Sequence, residues 1–114
     1  AFSNTLERIT RMKPHEIAAC VKKMFTEHPE AFRQDTYFID GGFCTLGAAI
    51  LCVNPDVDVF DFDDVLPSEV AAFNSEFCNA NGRFVDAVND KEGLLAIMAG
   101  LEKMIERGIE NAES

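Results

Sequence analysis

The stretch Phe43-Cys44-Thr45-Leu46-Gly47-Ala48-Ala49-Ile50-Leu51-Cys52-Val53 decides the fold of this chain, because it places eleven uncharged residues in a row. Such a run is too short to span a bilayer and has the length of a central buried helix. Asp40-Gly41-Gly42 before it reads as a turn and helix-start region, and Asn54-Pro55-Asp56 after it reads as a breaker. Small side chains at Cys44, Gly47, Ala48 and Ala49 let neighbouring helices approach closely. Gly47 costs a helix about 1 kcal/mol relative to Ala, so packing is expected to require it.

Working outward, Asn4 with Glu7 forms a capping-box pattern for a short first helix carrying Leu6, Ile9 and Met12. Pro14 suits the first turn of a second helix, whose Ile17, Ala18, Val21, Met24 and Phe25 share one face. His28-Pro29 ends it, and one extra turn returns Phe32 to the core. Residues 37–39 are extended. Pro67 opens a helix with Val70, Phe73 and Phe77 on one side, and Asn79-Ala80-Asn81-Gly82 stops it. Residues 84–88 fit either a strand or a helical turn. Asn89 or Asp90 is the expected cap of a last long helix, striped by Leu94, Leu95, Ile97, Met98, Leu101, Met104 and Ile105 up to Gly108. Gly93, Ala96 and Gly100 give that helix a close-approach side, expected to meet residues 43–53, and residues 109–114 read as a frayed tail.

The reading is a mainly α single compact domain, residues 1–114, of about five helices. At most one short β element is expected, from residues 37–39, 57–62 or 84–88. With 114 residues there is room for one core and no second domain. Ala1 is a residue expected after loss of an initiator Met.

Charge is distributed unevenly. The net charge is −10, and residues 34–82 contain no Lys, Arg or His while holding Asp35, Asp40, Asp56, Asp58, Asp61, Asp63, Asp64, Glu69 and Glu76. The same segment carries Tyr37, Phe38, Phe43, Phe60, Phe62, Phe73 and Phe77, so it is expected to fold rather than form an acidic tail. A folded surface of one sign attracts a cationic partner and repels phosphate, which excludes direct nucleic-acid binding and anionic membrane. Phe60 and Phe62 among carboxylates add the aromatic anchors that protein interfaces use. Asp56, Asp58, Phe60, Asp61, Phe62, Asp63, Asp64 and Glu69 are therefore the expected partner-binding residues. Calcium is not expected there: counting from Asp56, the fifth, sixth and twelfth positions of an EF-hand loop fall on Phe60, Asp61 and Pro67.

Cys20, Cys44, Cys52 and Cys78 show no zinc-site spacing and sit among apolar neighbours, so each reads as a small core residue with a reduced thiol. No apolar run reaches the length of a membrane span, and no signal peptide is visible, which together give a cytoplasmic expectation. No metal and no cofactor is expected. Cys44, near a helix start, is the one candidate nucleophile, with His15 or His28 as base. Its apolar neighbours favour burial instead, and His15 itself reads as exposed. Neither a phosphate loop nor a distinguished carboxylate pair is present.

The order Pro29-x-x-Phe32, Gly42-x-Cys44-Thr45-Leu46-Gly47-Ala48, Phe73-Asn74 and Asn89-Asp90 resembles small helical proteins of bacteriophages and bacteria. They share a Cys-x-Leu-Gly-Ala helix followed by an Asn-Asp-capped one, and the likeness covers roughly residues 29–105. It implies a phage or mobile-element context and no residue-level chemistry. The function expected is a non-enzymatic acidic accessory protein that binds and inhibits a host protein through residues 34–82, with nucleic-acid mimicry as one route. The alternatives are a small enzyme using Cys44 and a structural homo-oligomer, a homodimer being its simplest form.

Overall fold

Thr45–Val53 forms a helix buried on nearly every side, with Thr45 through Ile50 and Val53 all withdrawn from solvent. A computed structural model of the chain describes residues 12–34, 36–39, 41–59 and 66–113, with side chains up to residue 108 in the last helix. Within it the helices are α1 (Pro14–Glu27), α2 (Thr45–Val53), α3 (Ser68–Asn81), α4 (Val85–Lys91) and α5 (Leu94–Glu113). The expected helix ahead of Pro14, at residues 4–12, lies outside the described residues.

Helix α2 starts two residues later than its apolar run. Gly42–Phe43 is drawn into an antiparallel pair with Phe38–Ile39, register Phe38↔Phe43 and Ile39↔Gly42. The two-residue connection places Gly41 at φ 76, a left-handed conformation that glycine takes without Cβ cost. Phe43 also bridges Phe32, and the Phe25 ring meets those of Phe32 and Phe43 at centroid distances of 5.5 and 5.6 Å. The extra turn Pro29–Ala31 thus returns Phe32 to the core, as its sequence suggests.

Helix α1 buries Ile17, Ala18, Val21 and Phe25, and the Lys13 backbone N–H donates to Glu16 Oε1 at 2.9 Å, tying down its start. Helix α3 buries Val70, Phe73 and Phe77 and ends at Gly82, φ 81. Helix α5 contributes Ile97, Leu101 and Met104. Together these faces make one core across all five helices. No described helix is long and apolar enough to cross a membrane.

Several expectations need correction. Of the two readings open for residues 84–88 the strand falls away: Phe84 is extended as the cap, and residues 85–88 are helical, with Val85 and Val88 placing their side chains in the core at helical spacing. Asn89 and Asp90 belong to α4 and do not cap the last helix, which begins at Leu94 after Gly93 at φ 93. Leu95 leaves the apolar stripe and is 87% exposed. Gly100 lies against the ring of Phe77 in α3 rather than against α2, and a Cβ there would strike that ring. Gly108 does not end α5, which runs on to Glu113; the missing Cβ leaves room for His15, which is half-buried rather than exposed. Among the described residues of the 57–62 segment there is no strand, and a turn at Pro55-Asp56 follows α2 instead.

The cysteines also depart from expectation. Cys20 and Cys52 form a disulfide between α1 and α2, with Cα atoms 6.3 Å apart, so two of the four thiols are not reduced. Nothing in their 32-residue separation announces the bond, because only the crossing of the two helices brings the side chains together. Closing a loop of that length restricts the unfolded chain, a stabilisation of about 4 kcal/mol. Chemical denaturation with and without reductant, and of the Cys20→Ala/Cys52→Ala double variant, is expected to register that loss.

Candidate functional site

The residues expected to bind a partner are only partly brought into view. Asp56 and Asp58 are exposed in the irregular segment after α2, where the Asp56 backbone N–H donates to Asn54 Oδ1 at 3.3 Å. Glu69 sits in the first turn of α3, half-buried, and accepts from Ser68 Oγ at 3.1 Å. A carboxylate at that position complements the partial positive charge of the helix start. Phe60, Asp61, Phe62, Asp63 and Asp64 lie outside the described residues. Asp56 and Asp58 share one segment, and Glu69 belongs to a different element.

Two of the basic residues are engaged outside this segment: Lys22 pairs with Glu102 and Arg83 with Glu92, each pair joining two parts of the chain. Arg33 donates from Nη1 to the carbonyls of Glu30 and Phe32 at 2.7 and 3.0 Å, and its guanidinium lies beside Gly42. Arg107 Nη1 donates to the Asn79 carbonyl at 3.0 Å, so residues 34–82 carry no base of their own while two bases from outside touch them.

A second location gathers more polar chemistry than the sequence indicates. A cavity of about 430 Å³ is lined by Thr36, Tyr37, Cys44, Leu46, Val85, Asp86, Asn89 and Asp90. Its organiser is Asn89, 1% exposed. Asn89 Oδ1 accepts from the Thr45 backbone N–H at 2.9 Å and from Thr45 Oγ1 at 2.6 Å, while Nδ2 donates to the Arg33 carbonyl at 3.1 Å and to Asp90 Oδ1 at 2.9 Å. Gln34 Nε2 reaches the carbonyls of Asn89 and Asp90 at 3.1 and 3.2 Å. One side chain from α4 therefore satisfies an orphan N–H at the start of α2 and fixes the segment before the hairpin. Asn74 serves α4 in the same way, its Oδ1 accepting from the Val85 backbone N–H at 2.9 Å.

Cys44 occupies the N-cap position of α2, where Sγ accepts from the Gly47 N–H at 3.4 Å. The residue is 8% exposed, and burial pushes its thiol pKa up, opposed by the N–H donors of the helix start and reinforced by the nearby Asp90 carboxylate. A nucleophilic cysteine needs the reverse, a lowered pKa beside a base. Neither histidine lines this cavity: His15 packs at Gly108, and His28 Nδ1 lies 3.3 Å from Glu30. Cys44→Ala is expected to cost about 1 kcal/mol, as loss of a small buried group and a weak cap does. Thiol labelling at neutral pH is expected to reach half-exposed Cys78 well before Cys44.

Among the described residues, no three His, Cys, Asp or Glu side chains gather as a metal site would require. The role of Asn89 escaped the sequence reading because its partner Thr45 is 44 positions away. The available signal was an Asn in a segment whose neighbours Val85 and Val88 are apolar, a pattern that marks a buried polar residue only once its face is known. Comparison with protein-family models, with curated proteins and with solved structures finds no match.

Proposed function

We propose that this chain is a non-enzymatic binding protein whose base-free segment, residues 34–82, docks on a cationic surface of another protein and modulates it. The observation that carries the reading is the union of one-signed charge with folded structure. The segment supplies the hairpin, α2 and α3, whose Phe43, Phe73 and Phe77 pack in the core, while Asp56 and Asp58 remain exposed on the connection between them. A rigid frame of this kind presents carboxylates without the ordering cost of a disordered tail. The raised thiol pKa of Cys44 and the absence of a histidine from its cavity favour binding over catalysis. In the phage setting that the sequence resemblance implies, the partner would be a host protein, and a groove that normally receives nucleic acid is one form its cationic surface could take.

Charge and anchor separate kinetically. Converting Asp58, Asp61 and Asp63 to Asn is expected to slow association and flatten its salt dependence, whereas Phe62→Ala is expected mainly to speed dissociation. Surface-plasmon kinetics against a partner captured at low salt reads both. Equal association rates for the triple variant and the parent would mean that the acidic segment is solvated surface and that the interface lies elsewhere.

A further inference from the structure

Three sulfurs converge where α1 crosses α2. Cys20 and Met24 lie four positions apart on α1 and so share one of its faces, while Cys52 comes from the last turn of α2. Cys20 and Cys52 are joined, and Met24 Sδ lies 3.5 Å from Cys52 Sγ. All three residues are half-buried, whereas the residue after each of them, Val21, Phe25 and Val53, is in the core. The cluster therefore lies at the edge of the core, within reach of solvent. Harder donors do not join it: among the described residues no three His, Cys, Asp or Glu side chains gather, and His28, one turn beyond Met24, is paired with Glu30 at 3.3 Å.

The geometry points to a site for a soft monovalent metal ion, Cu(I), held by the thiolates of Cys20 and Cys52 and the thioether of Met24 once the disulfide is reduced. A dithiol reductant opens it: two electrons and two protons pass to the disulfide sulfurs, and the donor leaves as its own disulfide. Cu(I) then replaces the two thiol protons, which go to the buffer, while the thioether binds as a neutral ligand. Metal–sulfur bonds of about 2.3 Å set the sulfurs of a trigonal site about 4 Å apart. Met24 Sδ and Cys52 Sγ already stand near that spacing, and with Cα atoms 6.3 Å apart, rotation about the Cα–Cβ bonds parts the two cysteine sulfurs to it while the helices stay in place. The donor set chooses the ion. Thiolate with thioether selects Cu(I), whereas structural zinc takes four ligands from thiolate, imidazole and carboxylate, and calcium and magnesium take oxygen. The net charge of −10 adds a general attraction for a cation. Bound metal ties α1 to α2 as the disulfide does, so it restores the cross-link that reduction removes. Such a site does not depend on the proposed cationic partner.

The test uses the whole chain, reduced with a dithiol, desalted under nitrogen and titrated with Cu(I) against a coloured Cu(I) chelator. The reduced chain is expected to withdraw one equivalent of copper from the chelator, and the oxidised chain none. X-ray absorption at the copper edge is expected to show three sulfur neighbours at about 2.3 Å. Copper is also expected to raise the melting midpoint of the reduced chain. Met24→Leu, which keeps volume and apolarity, is expected to lower the sulfur count to two and to lose its copper at a chelator concentration that the parent withstands. Cys44→Ala/Cys78→Ser is expected to keep the parent's count and affinity, and thermal melts check that each variant is folded. No uptake by the reduced chain, uptake that Cys20→Ser/Cys52→Ser retains, or a sulfur count of two in the parent would overturn the site. A Met24→Leu variant that holds copper as tightly as the parent would overturn it equally.

Discussion

Gly47→Leu is expected to unfold the domain or lower its stability by more than about 3 kcal/mol, a large share of the ~5–15 kcal/mol available to a chain of this size. A Cβ at this position would overlap the carbonyl oxygen of Tyr37 and press on the side chain of Phe43. The first obstacle is backbone, which cannot swing aside as a flexible side chain does. That carbonyl also accepts from the Cys44 N–H at 3.2 Å, so displacing it disturbs the approach of the hairpin to α2. Gly47→Ala is expected to show the same defect in milder form. Thermal and chemical denaturation reads both, and an unchanged midpoint for the leucine variant would remove Gly47 from the core contact.

Asn89→Ala is expected to cost about 3–5 kcal/mol, the second large effect. The substitution leaves the Thr45 backbone N–H, the Thr45 hydroxyl and the Arg33 carbonyl without their partner beside the cavity that Asn89 lines. Each buried polar group so stranded costs about 1–3 kcal/mol, and water entering the adjoining cavity recovers part of that. Asn89→Asp keeps the acceptor for Thr45 and loses the donor to Arg33, while placing a second carboxylate beside Asp90. It is expected to be destabilising too, and increasingly so as pH rises through the carboxylate range, because ionisation then sets two like charges side by side. Denaturation midpoints across pH check this, and a pH-independent deficit would assign the loss to the missing hydrogen bond alone.

The elements of this protein were legible wherever one local rule sufficed. Apolar periodicity identified α1 and α3, the uncharged run identified α2, and Gly41 and Gly82 marked turns that their positive φ angles bear out. The need for a small residue at Gly47 was legible too, although its partner, the Tyr37 carbonyl, was not. Residues 84–88 stayed ambiguous because a five-residue apolar pattern fits period two and period 3.6 alike, and burial of Val85 and Val88 on α4 resolved it.

What the sequence determined by itself was the class of fold, the placement of the central helix and the concentration of the net negative charge in the base-free residues 34–82, all properties of residues near one another in the chain. Tertiary structure alone decided the rest. Asn89 reads locally as a helix cap, yet it caps α2 across 44 positions because packing turns that face of α4 toward Thr45. Cys20 and Cys52 read as small apolar residues, yet the crossing of α1 and α2 brings them together as a disulfide. The cavity beside Asn89 likewise exists only because residues 36–37, Cys44 and α4 converge. Periodicity and charge act over a few residues, so they are visible in order along the chain. Capping across elements, bonding between sulfurs and the shaping of a cavity depend on which faces meet, and that is settled only when the core closes.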